Sequence, residues 1–237
     1  KYSFDTSGVM QRGFFKIKET NETAARLRYF SLKDGKEYAV ASLDEENFGA
    51  KQYSNAGVYS VADTGMGSRS YFYLNNTTPR KGYQNVVYID KADNDKKVTL
   101  RQYFDSSTGI LQTGLFRIGA DIVCADNTTG EIYNSTLTTK GPKQINEETW
   151  TAAGIDKPTG YYFFNVDGKM VTGWITWNAK KYYFSPTTGK MATGIMTIGK
   201  EDYYFADDGT LYTGGIVELG DKKYGFSNTG VMLIGWQ

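Results

Sequence analysis

The stretch from Gly160 to Gln237 states nearly the same unit four times: GYYFFNVDGKMVTGW, KKYYFSPTTGKMATGI, DYYFADDGTLYTGG and KKYGFSNTGVMLIGW. Each unit has paired aromatics, a polar run ending in Gly, an aliphatic residue or Met, and a second Gly close behind. Those second glycines, Gly173, Gly194, Gly214 and Gly235, lie 21, 20 and 21 residues apart. Such a fixed period marks a repeat array, in which each unit buries its face only against its neighbours.

The chemistry of the unit is that of a β-hairpin. The chain holds 19 Tyr, 13 Phe and 27 Gly against 4 Pro, and aromatics favour strands while Gly favours the turns between them. Within one unit Tyr183 and Phe184 end a strand, Ser-Pro-Thr-Thr-Gly supplies a turn, Lys190-Met191-Ala192 starts the return, and Gly194 permits the bend onward. Neighbours in a strand point to opposite faces, so one aromatic of each pair faces inward and the other outward. A lone hairpin is marginal in water. Stacked hairpins bury their inward Phe and Met, at roughly 1.5–3 kcal/mol for each large side chain. The outward Tyr residues should then form a regularly spaced ladder. The fold class predicted is all-β, a β-solenoid of stacked hairpin repeats with insertions in the N-terminal half.

Five segments follow. Residues 1–35 carry repeats: KYSFDTSGVMQRGFF matches the unit, and Tyr29, Phe30 and Gly35 recover its aromatic-turn half after an insertion around Glu19–Ala24, where a short helical turn has room. Residues 36–98 are degenerate repeats or an inserted β unit. Tyr71–Leu74 and Val86–Ile89 read there as strands, NNTTPRKG and DKADND as turns, and Gly57, Gly65, Gly67 and Ser68 as a loop. Residues 99–139 return to the pattern with Tyr103, Phe104, Gly109, Leu111 and Gly114, then a weaker unit with Ile122, Val123 and Cys124 in aromatic positions. Residues 140–159 form a polar loop in which Glu147 and Glu148 can open one helical turn. Residues 160–237 are the regular array.

Several functions lose their support at this level. A net charge of +1 gives no electrostatic case for nucleic acid or an anionic membrane, and no apolar run is long enough for membrane insertion. Cys124 is the one cysteine, sits in an apolar run, and reads as a small buried hydrophobe. The absence of His removes the commonest general base. Glycosidase chemistry needs only two carboxylates. The acidic clusters Asp44-Glu45-Glu46, Glu147-Glu148 and Asp207-Asp208, however, read as solvated loops and a repeat turn. Asp90, Asp93 and Asp95 have the spacing of a calcium loop, but Lys96 stands where its glycine belongs. Neither a metal nor any cofactor is implied. The chain starts mid-pattern, as a piece of a larger protein would.

The units resemble the cell-wall-binding repeat family, which includes choline-binding modules, glucan-binding domains of glucansucrases and clostridial-toxin C-terminal repeats. The resemblance implies a non-catalytic module of a secreted or surface-attached bacterial protein that holds a glycan or cell-wall polymer, possible catalysis lying elsewhere in the parent. Choline-binding repeats resemble a Gly-Trp step followed by a Trp-Tyr-Tyr strand, whose rings box a quaternary ammonium. Gly173-Trp174 and Gly235-Trp236 keep the step, but Lys181, Asp202 and Lys223 precede the later Tyr positions, so the glucan-type branch outweighs choline. A sugar lays an apolar face on a ring while polar groups bond its hydroxyls. The expected ligand-binding residues are therefore Trp174, Trp177, Tyr182 and Tyr203, with Lys181 and Asp202 as polar partners, and Trp177 as a further wall for any cage at Trp174. Packing of one repeat on the next is the alternative role for each aromatic. A structural spacer or protein-binding adhesin is the alternative function, and pairing of two chains through the repeats as a homodimer stays open.

Overall fold

The computed structural model describes residues 1–42, 51–53, 58–61, 70–75, 77–90, 93–94 and 96–234. Two compact units emerge: Lys1–Gly114 with Ala125–Ile132, and Leu115–Cys124 with Tyr133–Gln237. Both are built almost wholly of antiparallel strands. Expectations resting on Asp44-Glu45-Glu46, Gly57, Gly65, Gly67, Ser68, Asp95, Gly235-Trp236 and the side chain of Asp90 lie outside the described residues. Asp93 is exposed and pairs with Lys96 at 3.0 Å.

The first unit contains β1 (Gly13–Ile17), β2 (Arg26–Phe30), β3 (Glu37–Tyr38), β4 (Val40–Ser42), β5 (Lys51–Tyr53), β6 (Val58–Val61), β7 (Ser70–Asn75), β8 (Thr78–Pro79), β9 (Gly82–Asp90) and β10 (Lys96–Phe104). They form sheets in the orders β1-β2-β3, β4-β6-β7-β8 and β10-β9-β5. Phe14, Tyr29 and Phe72 meet with ring centroids 4.8–5.6 Å apart and anchor its core. The insertion after β1 makes a single turn, Glu22 N–H to Glu19 C=O at 3.0 Å, without becoming helical. Arg28 closes it from below, 2.7 Å from both Glu22 and Glu37. Cys124, which belongs to the second unit, is buried as expected.

The second unit contains β11 (Leu115–Ile118), β12 (Asp121–Cys124), β13 (Lys143–Ile145), α1 (Glu147–Ala152), β14 (Gly160–Phe164), β15 (Met170–Val171), β16 (Gly173–Trp177), β17 (Lys180–Phe184), β18 (Gly194–Ile198), β19 (Glu201–Phe205), β20 (Gly215–Leu219) and β21 (Lys222–Phe226). In the three regular hairpins Gly173 pairs with Phe184, Gly194 with Phe205 and Gly215 with Phe226. These three hairpins thus repeat every 21 residues, and Gly215 rather than Gly214 opens the last one. Gly214 instead donates its N–H to the Ser227 carbonyl at 2.8 Å.

Successive hairpins are joined by one recurring hydrogen bond. The N–H of Met191 donates to Tyr161 C=O at 2.8 Å, that of Leu211 to Lys181 C=O at 2.8 Å, and that of Met232 to Asp202 C=O at 2.7 Å. The Gly-then-Met pattern also gains its reason here. A Cβ on Gly209 would lie 2.4 Å from the Met191 sulfur, and one on Gly189 2.8 Å from the Met170 sulfur. Each turn glycine, at φ near +80°, is thus the floor on which the preceding repeat's Met rests. Asp105 serves a turn of the first unit differently. Burial raises its carboxyl pKa, but hydrogen bonds from Ser107 and Thr108 outweigh that and hold it at about 2.

The predicted outward Tyr ladder is not what the repeats display. Tyr162 and Tyr182 are buried and Tyr183, Tyr203 and Tyr204 half-buried, because the next hairpin covers the face that a single strand leaves open. Of the tyrosines in the regular array, Tyr161 alone is exposed among the described residues. The polar segment before it is likewise more than a loop. Asn146 caps α1 by accepting the Thr149 N–H at 2.8 Å, and Trp150 on that helix is buried edge-on against Tyr162 at 4.8 Å.

Candidate functional site

Hairpin β16–β17 turns through Asn178 and Ala179, at φ of 50° and 60°. Two positive values in a two-residue loop are the mark of a type I′ turn, which suits the right-handed twist of the strands. Trp177 and Lys180 thereby face each other as the last cross-strand pair. The Trp177 indole N–H donates to the Leu137 carbonyl at 3.3 Å, and the Asn178 amide donates to that of Thr138 at 3.4 Å. The repeat-joining bond to Tyr161 brings Met191 alongside.

These constraints enclose a pocket of about 410 Å³. Tyr161, Trp177 and Tyr182 supply its rings, Met191 and Pro142 its remaining apolar lining, and Asn178, Lys180, Asp207 and Asp208 its polar lining. Asp208 comes from the following repeat's turn. Its carboxyl is held below the usual carboxylate range by the Thr210 N–H, 2.9 Å from Oδ1, and then by Lys180, 3.4 Å from Oδ2. It is ionised at neutral pH. Ring faces, a polarizable thioether and carboxylates together suit an apolar cation, since a cation within about 6 Å of a ring is drawn to its quadrupole.

Two of the six expected residues, Trp177 and Tyr182, line this pocket. Trp174 does not join them. It is three residues from Trp177 on one strand, an odd separation that sends the side chains to opposite faces, so Trp177 cannot wall a cage at Trp174. Trp174 instead packs on Tyr183, Tyr203 and Phe205 with centroids 5.1–5.8 Å apart, too close for an ammonium to enter between the rings. One side of its ring stays open, at 43% exposure. Lys181 is exposed opposite Thr176, and Asp202 accepts the Thr197 hydroxyl at 2.5 Å. Neither lines the pocket. Sequence reasoning missed Tyr161, Lys180, Met191, Asp207 and Asp208 as a group. The repeat register could have found Tyr161, because it holds the place that Lys181 and Asp202 take later.

The family comparison bears directly on this pocket. The choline-binding repeat family model matches residues 159–194. This stretch is similar to a choline-binding repeat. The match falls on the branch that the residues before the Tyr pairs had made the weaker one. No curated protein matches the chain. Among solved structures, CbpJ from Streptococcus pneumoniae TIGR4 is similar at 20% identity over 98% of this chain and 84% of that chain, with a TM-score of 0.45. Choline binding protein F from Streptococcus pneumoniae gives 19%, 98%, 89% and 0.43. The multimodular pneumococcal cell wall endolysin from phage Cp-1, complexed with choline, gives 17%, 68%, 40% and 0.35. These superpositions are loose, so the repeat match carries the comparison.

Proposed function

We propose that this chain is a non-catalytic module that holds a choline-bearing cell-wall polymer for a secreted or surface-attached bacterial protein. One observation carries the reading: the matched segment contains Tyr161, Trp177, Tyr182 and Met191, the rings and thioether of the pocket. A quaternary ammonium has no N–H to donate, so hydrogen bonds to acceptors cannot select it. Ring faces backed by carboxylates can. Asp207 and Asp208 are neighbours in one turn and Asp208 already holds Lys180, which suits charge balance better than acid–base catalysis. The open side of Trp174 favours a second contact, a sugar face of the same polymer stacked on its indole. Association of two copies through the repeats belongs to the same proposal, and sedimentation at two concentrations tests it.

Retention of the purified chain on a choline-bearing support and on a glucan support tests the main reading. The expected result is retention on choline and release by free choline. Retention on glucan that choline does not disturb would overturn the choline assignment in favour of a glycan. Passage through both columns would favour the spacer or protein adhesin.

A further inference from the structure

The residues that fix Trp177 lie outside the regular array of residues 160–237. Leu137 and Thr138 offer the two carbonyls that its hairpin tip binds, and Gly141 lies beneath its ring. A Cβ built on Gly141 would stand 2.6 Å and 2.7 Å from the Cη2 and Cζ2 atoms of Trp177, so any other residue there collides with the six-membered ring. Gly141 also sits at φ +61°. The turn itself is braced: Lys140 N–H donates to Leu137 C=O at 3.0 Å, and the Tyr133 hydroxyl reaches the Gly141 carbonyl at 3.3 Å. Pro142, next in sequence, lines the pocket.

The following repeats lack this arrangement. By the hairpin register Trp177 corresponds to Ile198 and Leu219, and by the repeat-joining hydrogen bond Tyr161 corresponds to Lys181 and then Asp202. We infer that the Leu137–Gly141 turn is the positioning element of the ammonium pocket, with Gly141 the residue that decides whether Trp177 can stand as its wall. The turn thereby determines which repeat binds. This rests on the choline reading for its ligand, though not for its geometry.

A double-mutant cycle on the intact chain tests it, because Phe lacks the ring atoms that a Cβ at position 141 would strike. Choline titration should show Gly141→Ala weakening binding about tenfold and Trp177→Phe about threefold. The double variant should also stand about threefold below wild type, not thirtyfold, because the smaller ring absorbs the added methyl. The same cycle read by urea unfolding should show partial rescue whichever ligand the pocket takes, because Phe relieves the collision while the strain of an L-residue at φ +61° stays in both backgrounds. Additive losses in both readouts would overturn the inference. Absence of choline binding by wild type with rescue in urea would sink the choline reading alone.

Discussion

Ala179 occupies a left-handed conformation without the excuse of being glycine. The corresponding tips of the next two hairpins begin with Gly199 and Gly220, and the Asn178-Ala179 pair keeps only the first half of the favoured Asn-Gly sequence. Ala179→Gly should raise stability by about 1 kcal/mol, the cost of holding an L-residue with a Cβ in this region. Urea unfolding of the intact chain measures it, and an unchanged or lowered midpoint would contradict the account. At this scale the sequence was readable in part. Trp177 and Tyr182 were among the four candidate aromatics, beside Trp174 and Tyr203. Lys180 was missed in favour of its neighbour Lys181, since a shift of one residue reverses the face and nothing local fixes the phase. Asp208 could not be assigned, because it reaches the pocket from the next repeat.

Hairpins were the most legible elements, since their aromatic pairs, turns and glycines are all local signals. The opening of β20 was legible only to within one residue. Gly214 and Gly215 are adjacent, and only the pairing of Gly215 with Phe226 tells them apart. Strands of the first unit were recognised near Tyr71–Leu74 and Val86–Ile89, but their sheets were not. The pairing of β5 with β9, and of β4 with β6, skips intervening strands and leaves no mark in either segment alone. Helix α1 was foreseen as a turn in a loop, whereas its Trp150 joins Ile122, Cys124, Ile145, Tyr162 and Phe164 in one core. Trp150→Ala should therefore cost about 3–5 kcal/mol, in the range of large-to-small core changes. A loss below about 1 kcal/mol in urea unfolding, the scale of surface changes, would show that the helix is peripheral to that core.

For the molecule as a whole, the repeat period carried the fold class, because a unit that cannot bury its own face must stack. It did not carry the site. The regular part of the array supplies Tyr161, Tyr182 and Met191, while the Leu137–Gly141 turn outside it supplies the support of Trp177. Sequence reasoning follows what recurs, and this pocket depends on what does not. The two tryptophans of β16 separate the competing accounts, since they sit on opposite faces of that strand. Calorimetric titration of the intact chain with choline, beside Trp177→Ala and Trp174→Ala, is the direct test. The account predicts a loss of about tenfold or more for Trp177→Ala, the order of one well-placed cation–π wall, and little change for Trp174→Ala. Loss on removing Trp174 with Trp177 dispensable would contradict it and move the ammonium to the other face.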